Sequence, residues 1–405
     1  MLKANIAHFK ALRPPVKAMV YLHWTYSFVG ALTSMFVQIF LYERFGSVTF
    51  NIVGMMLYFI GCTVGFSLIG AIASWYRLNM KWGYAYSFVA LFMSFLLLAG
   101  EVTKFDALMF MLANGFGIGL YWVTLHTFEL TETENHERDY YSSVLSAGDQ
   151  LIALFAPAIA TLLFFISATV LHWGSFALLF IIAPLVYLSG LPFFRHIRTY
   201  RPSPIDRDDL KHFLHDRRNR HAQLYLFSGS ATHALSKVSL PIAAIIFLGS
   251  EVHVGIFNTI FAVISVVALV VLSKQRHSGN RLNFLFVTSI LFASITFFLA
   301  VRFDLLAFII FSLLSVIVKP LQRVSEHVID LETMETLGLK GRDFFATMIL
   351  RDVALGFWRV LVLAFFALTI FLVGEGAAAV RFGFVLYAVA TLLTYFGAAL
   401  LYRKQ

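Results

Sequence analysis

A single cysteine, Cys62, stands in a chain of 405 residues. It excludes an intramolecular disulfide and any cysteine cluster for zinc or iron–sulfur binding. Charge is also scarce: 13% of residues are Asp, Glu, Lys or Arg, against roughly 25% in a soluble domain. Acids are scarcer than bases, 22 against 31. No G-x-x-x-x-G-K-[ST] phosphate cradle occurs, so no ATP-binding loop is expected. No H-E-x-x-H or Cys/His grouping marks a metal enzyme, and neither a cofactor nor catalytic chemistry is expected. The first sixteen residues, MLKANIAHFKALRPPV, lack an apolar core and a small-residue cleavage site, so the first apolar run is expected to act as an uncleaved signal-anchor.

What is present is apolar. Hydrophobic residues make up 60% of the chain, with 44 Phe, 16 Tyr and 6 Trp, which is more apolar surface than a soluble fold of this size can hide. A spanning helix needs about 20 mostly apolar residues. Twelve such runs occur, at 17–43, 49–76, 82–100, 106–129, 141–169, 173–194, 222–248, 252–273, 282–301, 304–328, 344–373 and 378–402. Lipid offers backbone groups no partner, and the runs are too long for barrel strands, so they are expected to be helices. The fold class that follows is an all-α polytopic membrane protein of twelve transmembrane helices in two pseudo-symmetric six-helix halves.

Placing both termini inside puts most Lys and Arg in the inside loops and leaves only Arg44, Lys104, Arg302 and Arg381 outside. Retained cytoplasmic cations set topology. The +9 net charge is therefore a topology signal, and nucleic acid is not an expected partner. The location implied is a bacterial cytoplasmic membrane with cytoplasmic termini, and the protein is expected to be a monomer in the bilayer. The longest polar break, residues 195–221, is basic. It divides the chain into an N-terminal half (1–194) and a C-terminal half (222–405), and its arginines suit anionic headgroups.

Two phrases repeat. ERDYYSSVL begins at Glu137 and GRDFFATMI at Gly341, which places Arg138-Asp139 and Arg342-Asp343 204 positions apart (342 − 138). SWYRLNMKWG from Ser74 and SKQRHSGNRL from Ser273 are 199 apart (273 − 74). Both echoes fall at matching places in a six-plus-six layout, which is the parallel-repeat pattern of many secondary transporters.

On these features the chain resembles the major facilitator superfamily over its whole length. The loop after span two, GAIASWYRLNMKWG from Gly70, keeps the glycine, Arg77 and Lys81 of the superfamily's motif. It has Ser74-Trp75 where the motif carries an acid. APAIA at Ala156–Ala160 has alanine where the proline motif of proton-driven exporters has glycine, and span four lacks their embedded arginine. The resemblance implies alternating access, and it implies that spans 1, 4, 7 and 10 line a central cavity.

Those four spans do carry polar stripes at helical spacing. Span 10 aligns Ser312, Ser315, Lys319, Gln322, Glu326 and Asp330, with Arg323 on the flank and Pro320 freeing a carbonyl. Span 4 aligns Gly115, Gly119, Trp122, His126 and Glu129; span 1 aligns His23, Ser27, Gly30 and Ser34, with Tyr26 alongside; span 7 aligns Ser230, His233 and Lys237 before Pro241. An ionisable residue at mid-membrane costs at least about 2.5–3.5 kcal/mol, so one that is kept there needs a partner or a use. Lys237 and Lys319 are expected to clamp a small organic anion from opposite halves, with His233, Gln322, Trp122, Tyr26 and Ser27 completing the substrate site. Arg359 is expected to be a structural ion pair. His23, His126, His233, His327, Glu129, Glu326 and Asp149 are candidates for proton coupling, and Glu129 and Glu326 equally for an inner gate. Arg323, Arg138, Asp139, Arg342 and Asp343 are candidates for an inner gate, and both aspartates are also expected to cap helix starts. GFGIG at 115–119 reads as close helix packing.

Three functional readings stand at this point: a proton-coupled carrier of a small, negatively charged organic solute; a carrier of amphipathic compounds such as lipids or drugs; and a non-transporting receptor or scaffold on the same fold.

Overall fold

The structure is a computed structural model. It describes residues 9, 12–133, 135–205, 217–272, 281–336 and 344–402. Among the described residues every regular element is helical, and no membrane-length run forms a strand. Twelve helices follow in order: α1 (Pro14–Phe45), α2 (Val48–Trp75), α3 (Trp82–Leu96), α4 (Lys104–Glu132), α5 (Asn135–Phe165), α6 (Ala177–Gly190), α7 (Arg217–Leu248), α8 (Glu251–Leu272), α9 (Arg281–Arg302), α10 (Leu305–Thr336), α11 (Phe344–Val373) and α12 (Ala377–Tyr402). Ten contain a stretch long and apolar enough to cross a membrane, and α3 and the first part of α10 are shorter apolar helices. The protein is an integral membrane protein.

The helices outrun their apolar runs. α5 begins at Asn135, and α10 continues unbroken through Pro320 to Thr336. Beyond the hydrocarbon a helix still satisfies its own backbone, so polar residues extend it into water. This corrects the expectation for Asp139: it lies within α5, four residues past the start, and does not cap it. Its side chain and those of Arg138, Arg323, His327 and Asp330 lie outside what the structure describes, as do Arg342 and Asp343 altogether.

Two compact units are present. The first comprises Met1–Ser34 and Ile60–Ile205, and the second Met35–Phe59 and Asp206–Gln405. Each repeats one neighbour scheme six helices apart. In the first, α3 packs on α4 and α6; in the second, α9 packs on α10 and α12. The helix starts repeat as well. Thr103 caps α4 in a reciprocal box with Asp106, and Asp304 caps α10 through the Ala307 amide at 2.8 Å. Each cap satisfies amides that the first turn leaves free.

Within the first unit α2 and α4 approach closely. A Cβ at Gly65 would strike the Phe116 carbonyl, and one at Gly119 would strike the Cys62 carbonyl. The glycine run at 115–119 is thus a packing surface, as its spacing implies. α2 carries a π-helical turn at Val64–Leu68 beside this contact.

Candidate functional site

In the first unit, α1, α4 and α5 bring their polar stripes together. His23 is 7% exposed. Its Nδ1 lies 2.8 Å from Tyr121 Oη, and its Nε2 lies 3.3 Å from Asp149 Oδ2 and 3.2 Å from Ser27 Oγ. An ionised carboxylate only accepts, so a neutral ring places its proton on Nε2 and accepts from Tyr121 at Nδ1. A second proton would turn Nδ1 into a donor, and the tyrosine hydroxyl can reverse to accept it. The other Asp149 oxygen is buried without a hydrogen-bond partner among the described residues.

The chain of contacts continues along α4. Tyr121 stacks on Tyr26 with ring centres 3.8 Å apart, and Trp122 Nε1 donates to Tyr26 Oη at 3.0 Å. Trp122 faces His126 at 5.1 Å, and His126 Nδ1 lies 3.0 Å from Glu129 Oε2. Tyr141 of α5 donates to Glu129 Oε1 at 3.3 Å. From residue 121 to 129 the helix rises about 12 Å, so ionisable groups sit at both ends of an aromatic bridge. His126 and Glu129 are half-exposed, at 38% and 29% of their side chains.

The second unit is cationic. Lys237 of α7 is half-buried. Lys319 holds its ammonium over Phe292 of α9 and Tyr387 of α12, 5.3 and 5.5 Å from the ring centres. Arg359 of α11 lies over Phe59 at 5.2 Å, and its Nε is buried without a hydrogen-bond partner among the described residues. None of the three has an ion-pair partner among the described residues. A ring face attracts a cation but does not neutralise it.

Both lysines belong to the second unit. The expected clamp from opposite halves is therefore corrected: both lysines stand in one unit. The reason is plain in the order of the spans, since α7 and α10 follow the same linker. Arg359, expected to be a structural ion pair, has no ion-pair partner among the described residues and lies over the Phe59 ring.

Of the remaining candidates, Gln322 is buried and donates to Glu326 Oε1 at 2.8 Å, and Tyr225 donates to the Glu326 carbonyl at 3.2 Å. His233 is exposed, with its ring 5.8 Å from Phe59. Two apolar grooves, of about 460 Å³ between α9 and α12 and about 380 Å³ among α1, α5 and α6, contain none of the ionisable candidates.

Sequence reasoning passed over Tyr121 and a role for Ser74, and it read Tyr141 only as an aromatic anchor at the membrane interface. Tyr121 is one residue off the stripe that ends in Trp122, and only the α1–α4 crossing turns it toward His23. Ser74 is fully buried; it donates to the Ser203 carbonyl at 2.6 Å and accepts from the Ile205 amide at 2.8 Å. Met80 N–H donates to the Tyr200 carbonyl at 2.9 Å beside it. The serine that stands in place of the superfamily's acid thus fastens the start of the central linker. Glu132 adds to this corner: burial holds its carboxyl above the usual range, partly offset by Arg198 and Arg13.

No protein-family model and no curated protein matches the sequence. Solved structures do. A POT family transporter in complex with a thioalcohol-conjugated peptide matches with a TM-score of 0.72 and 11% identity, over 98% of this chain and 99% of that one. A POT family transporter in complex with 5-aminolevulinic acid gives 0.69 and 11%, over 98% and 99%. The chain has the major facilitator fold. The nucleoside transporter NupG gives 0.65 and 12%, over 97% of this chain and 100% of that one. At such identities the likeness is one of architecture, and the chemistry rests on this chain's own residues.

Proposed function

We propose that the protein is a secondary active transporter that carries a small organic anion across the membrane by alternating access, with protons as the coupling ion. Its moving parts are the halves 1–194 and 222–405, joined by the linker at 195–221. The observation that carries this reading is the half-buried Lys237, which has no ion-pair partner among the described residues. A mid-span charge costs about 2.5–3.5 kcal/mol or more on insertion scales, and a transported anion would offset that cost each time it binds. Lys319, seated on two rings, is held in place without being neutralised, which keeps its charge usable. The hydrogen-bonded His23–Asp149 pair and His126–Glu129–Tyr141 group support coupling, since imidazole and carboxyl side chains are the usual proton carriers. The solved relatives named above, transporters of a peptide conjugate, 5-aminolevulinic acid and nucleosides by their titles, support a small-solute carrier. The placement of Lys and Arg supports a bacterial cytoplasmic membrane with both termini inside.

The test is uptake into proteoliposomes under an imposed proton gradient, across organic anions, neutral solutes and amphipathic cations. An anion class should accumulate. Lys237→Ala and Lys319→Ala should each reduce that uptake at least about tenfold, with reconstitution unchanged. Uptake equal to wild type in both variants would sink the anion site.

A further inference from the structure

The two compact units do not divide where the sequence does. Residues 35–59 belong to the half 1–194, yet they stand in the second unit, so the boundary cuts α1 after Ser34 and α2 after Phe59. The tip of the α1–α2 hairpin is therefore held by partners from the other half of the chain. Asn258 of α8 donates to Met35 Sδ at 3.0 Å. The His233 ring of α7 and the Arg359 guanidinium of α11 lie 5.8 and 5.2 Å from the centre of the Phe59 ring. Beyond them Glu375 binds the start of α2.

The contact at Glu375 is the one that is both charged and hydrogen-bonded. Its carboxylate accepts from Ser47 Oγ at 3.0 Å and from the Val48 and Thr49 amides at 2.9 and 3.3 Å. Ser47 Oγ takes the Phe50 amide at 3.1 Å, and the Ser47 carbonyl takes that of Asn51 at 3.3 Å. Glu375 thus fills the two places left open in the first turn of α2, where the helix dipole also favours an anion. Hydrogen bonds to an ionised acceptor are about twice as strong as neutral ones, whereas contacts to sulfur adapt to many geometries. Glu375 stands in the short turn 374–376 between α11 and α12. Gly374 and Gly376 flank it with φ of +88° and +74°, a region that suits glycine. The two glycines fix the direction in which the carboxylate leaves the turn.

The turns at 46–47 and 374–376 are the ends of α1 and α12 farthest from the chain's termini. We infer that Glu375 is a latch. It holds the tip of the α1–α2 hairpin with the second unit and so keeps that face of the carrier shut; its release lets the tip rejoin its own half and that face open. This rests on the alternating-access reading above and names the contact that governs it.

Cys62 is the single cysteine, so Cys62→Ser gives a clean background for paired spin labels on the full-length protein in lipid nanodiscs. Arg44→Cys with Leu306→Cys, both at exposed positions, reads the latch face. Tyr76→Cys with Leu400→Cys, also at exposed positions, reads the face of the termini. Distances are measured by double electron–electron resonance. Glu375→Ala should raise the ratio of long to short Arg44–Leu306 distances at least about fivefold and shorten the Tyr76–Leu400 distances. Glu375→Gln keeps one acceptor oxygen and should move both pairs the same way by less. An unchanged Arg44–Leu306 ratio in Glu375→Ala, or a tip that lifts while Tyr76–Leu400 stays fixed, overturns the latch. Alternating access then stands if the Tyr76–Leu400 pair shows two populations with Glu375 intact. A single fixed distance for both pairs in every variant overturns both readings.

Discussion

Replacing Ser74 by alanine removes one oxygen and strands two backbone groups. The hydroxyl donates to Ser203 and accepts from Ile205, and the residue is fully buried between α2 and the extended stretch before residue 206. That stretch has no regular structure of its own over residues 198–205, so its amides depend on such side chains. Each lost bond is worth about 0.5–1.5 kcal/mol net, and about 1–3 kcal/mol where the stranded group stays dry. The segment is partly exposed and water can reach it once it lifts, so the combined loss is about 1–3 kcal/mol, or about 5–150-fold in the opening equilibrium. Amide exchange read by mass spectrometry on a peptide covering 198–205 should accelerate by that factor, because local opening governs exchange. The Tyr200–Met80 backbone bond and the Tyr200 amide's bond to Asn79 Oδ1 remain, so the core helices should exchange as in wild type. Ser74→Asp should also undock the strap, although it restores the acid of the superfamily's motif: a carboxylate cannot donate to the Ser203 carbonyl. Unchanged exchange at 198–205 in both variants would refute the assignment of Ser74 as the linker's anchor.

Two further outcomes follow from packing and capping. Gly65→Leu should destabilise the first unit by at least about 1–3 kcal/mol, since the side chain must displace the Phe116 carbonyl of α4. A lowered melting temperature in detergent checks this, and an unchanged one would mean that the helices part without cost. Glu375 accepts from Ser47 Oγ at 3.0 Å and from the Val48 and Thr49 amides at 2.9 and 3.3 Å. Burial pushes its carboxyl up, but those hydrogen bonds outweigh it and hold the carboxyl below the usual range. The folded value lies below the unfolded one, so the cap's stabilisation is present above the ordinary glutamate range and lost as pH falls through the folded value. Glu375→Gln should flatten the acid limb of stability against pH; a limb of unchanged slope would show that other groups cause it.

The apolar runs settled the membrane class and nearly every helix boundary, because a bilayer fixes the length of apolar chain that crosses it. The run expected at 344–373 is the helix Phe344–Val373 to the residue. The exceptions are the polar extensions of α5, α7 and α10, where water replaces lipid and hydropathy carries no signal, and α3 and α6, whose α-helices (Trp82–Leu96 and Ala177–Gly190) are shorter than the runs at 82–100 and 173–194. Stripes at helical spacing placed His23, Ser27, Trp122, His126 and Glu129 on facing surfaces. Which partner each would meet was not written in the spacing.

By itself the sequence determined what depends on one helix at a time: that this is a membrane protein of twelve helices, that its two halves repeat, and which residues share a face. Tertiary structure alone decided what depends on two helices crossing. Tyr121 reaches His23, Arg359 meets the Phe59 ring, and Ser74 fastens the linker, across 98, 300 and 129 positions of chain (121 − 23, 359 − 59, 203 − 74). Periodicity gives the direction of a side chain about its own axis. The neighbouring helix that fills that direction is set by packing, and packing is a property of pairs.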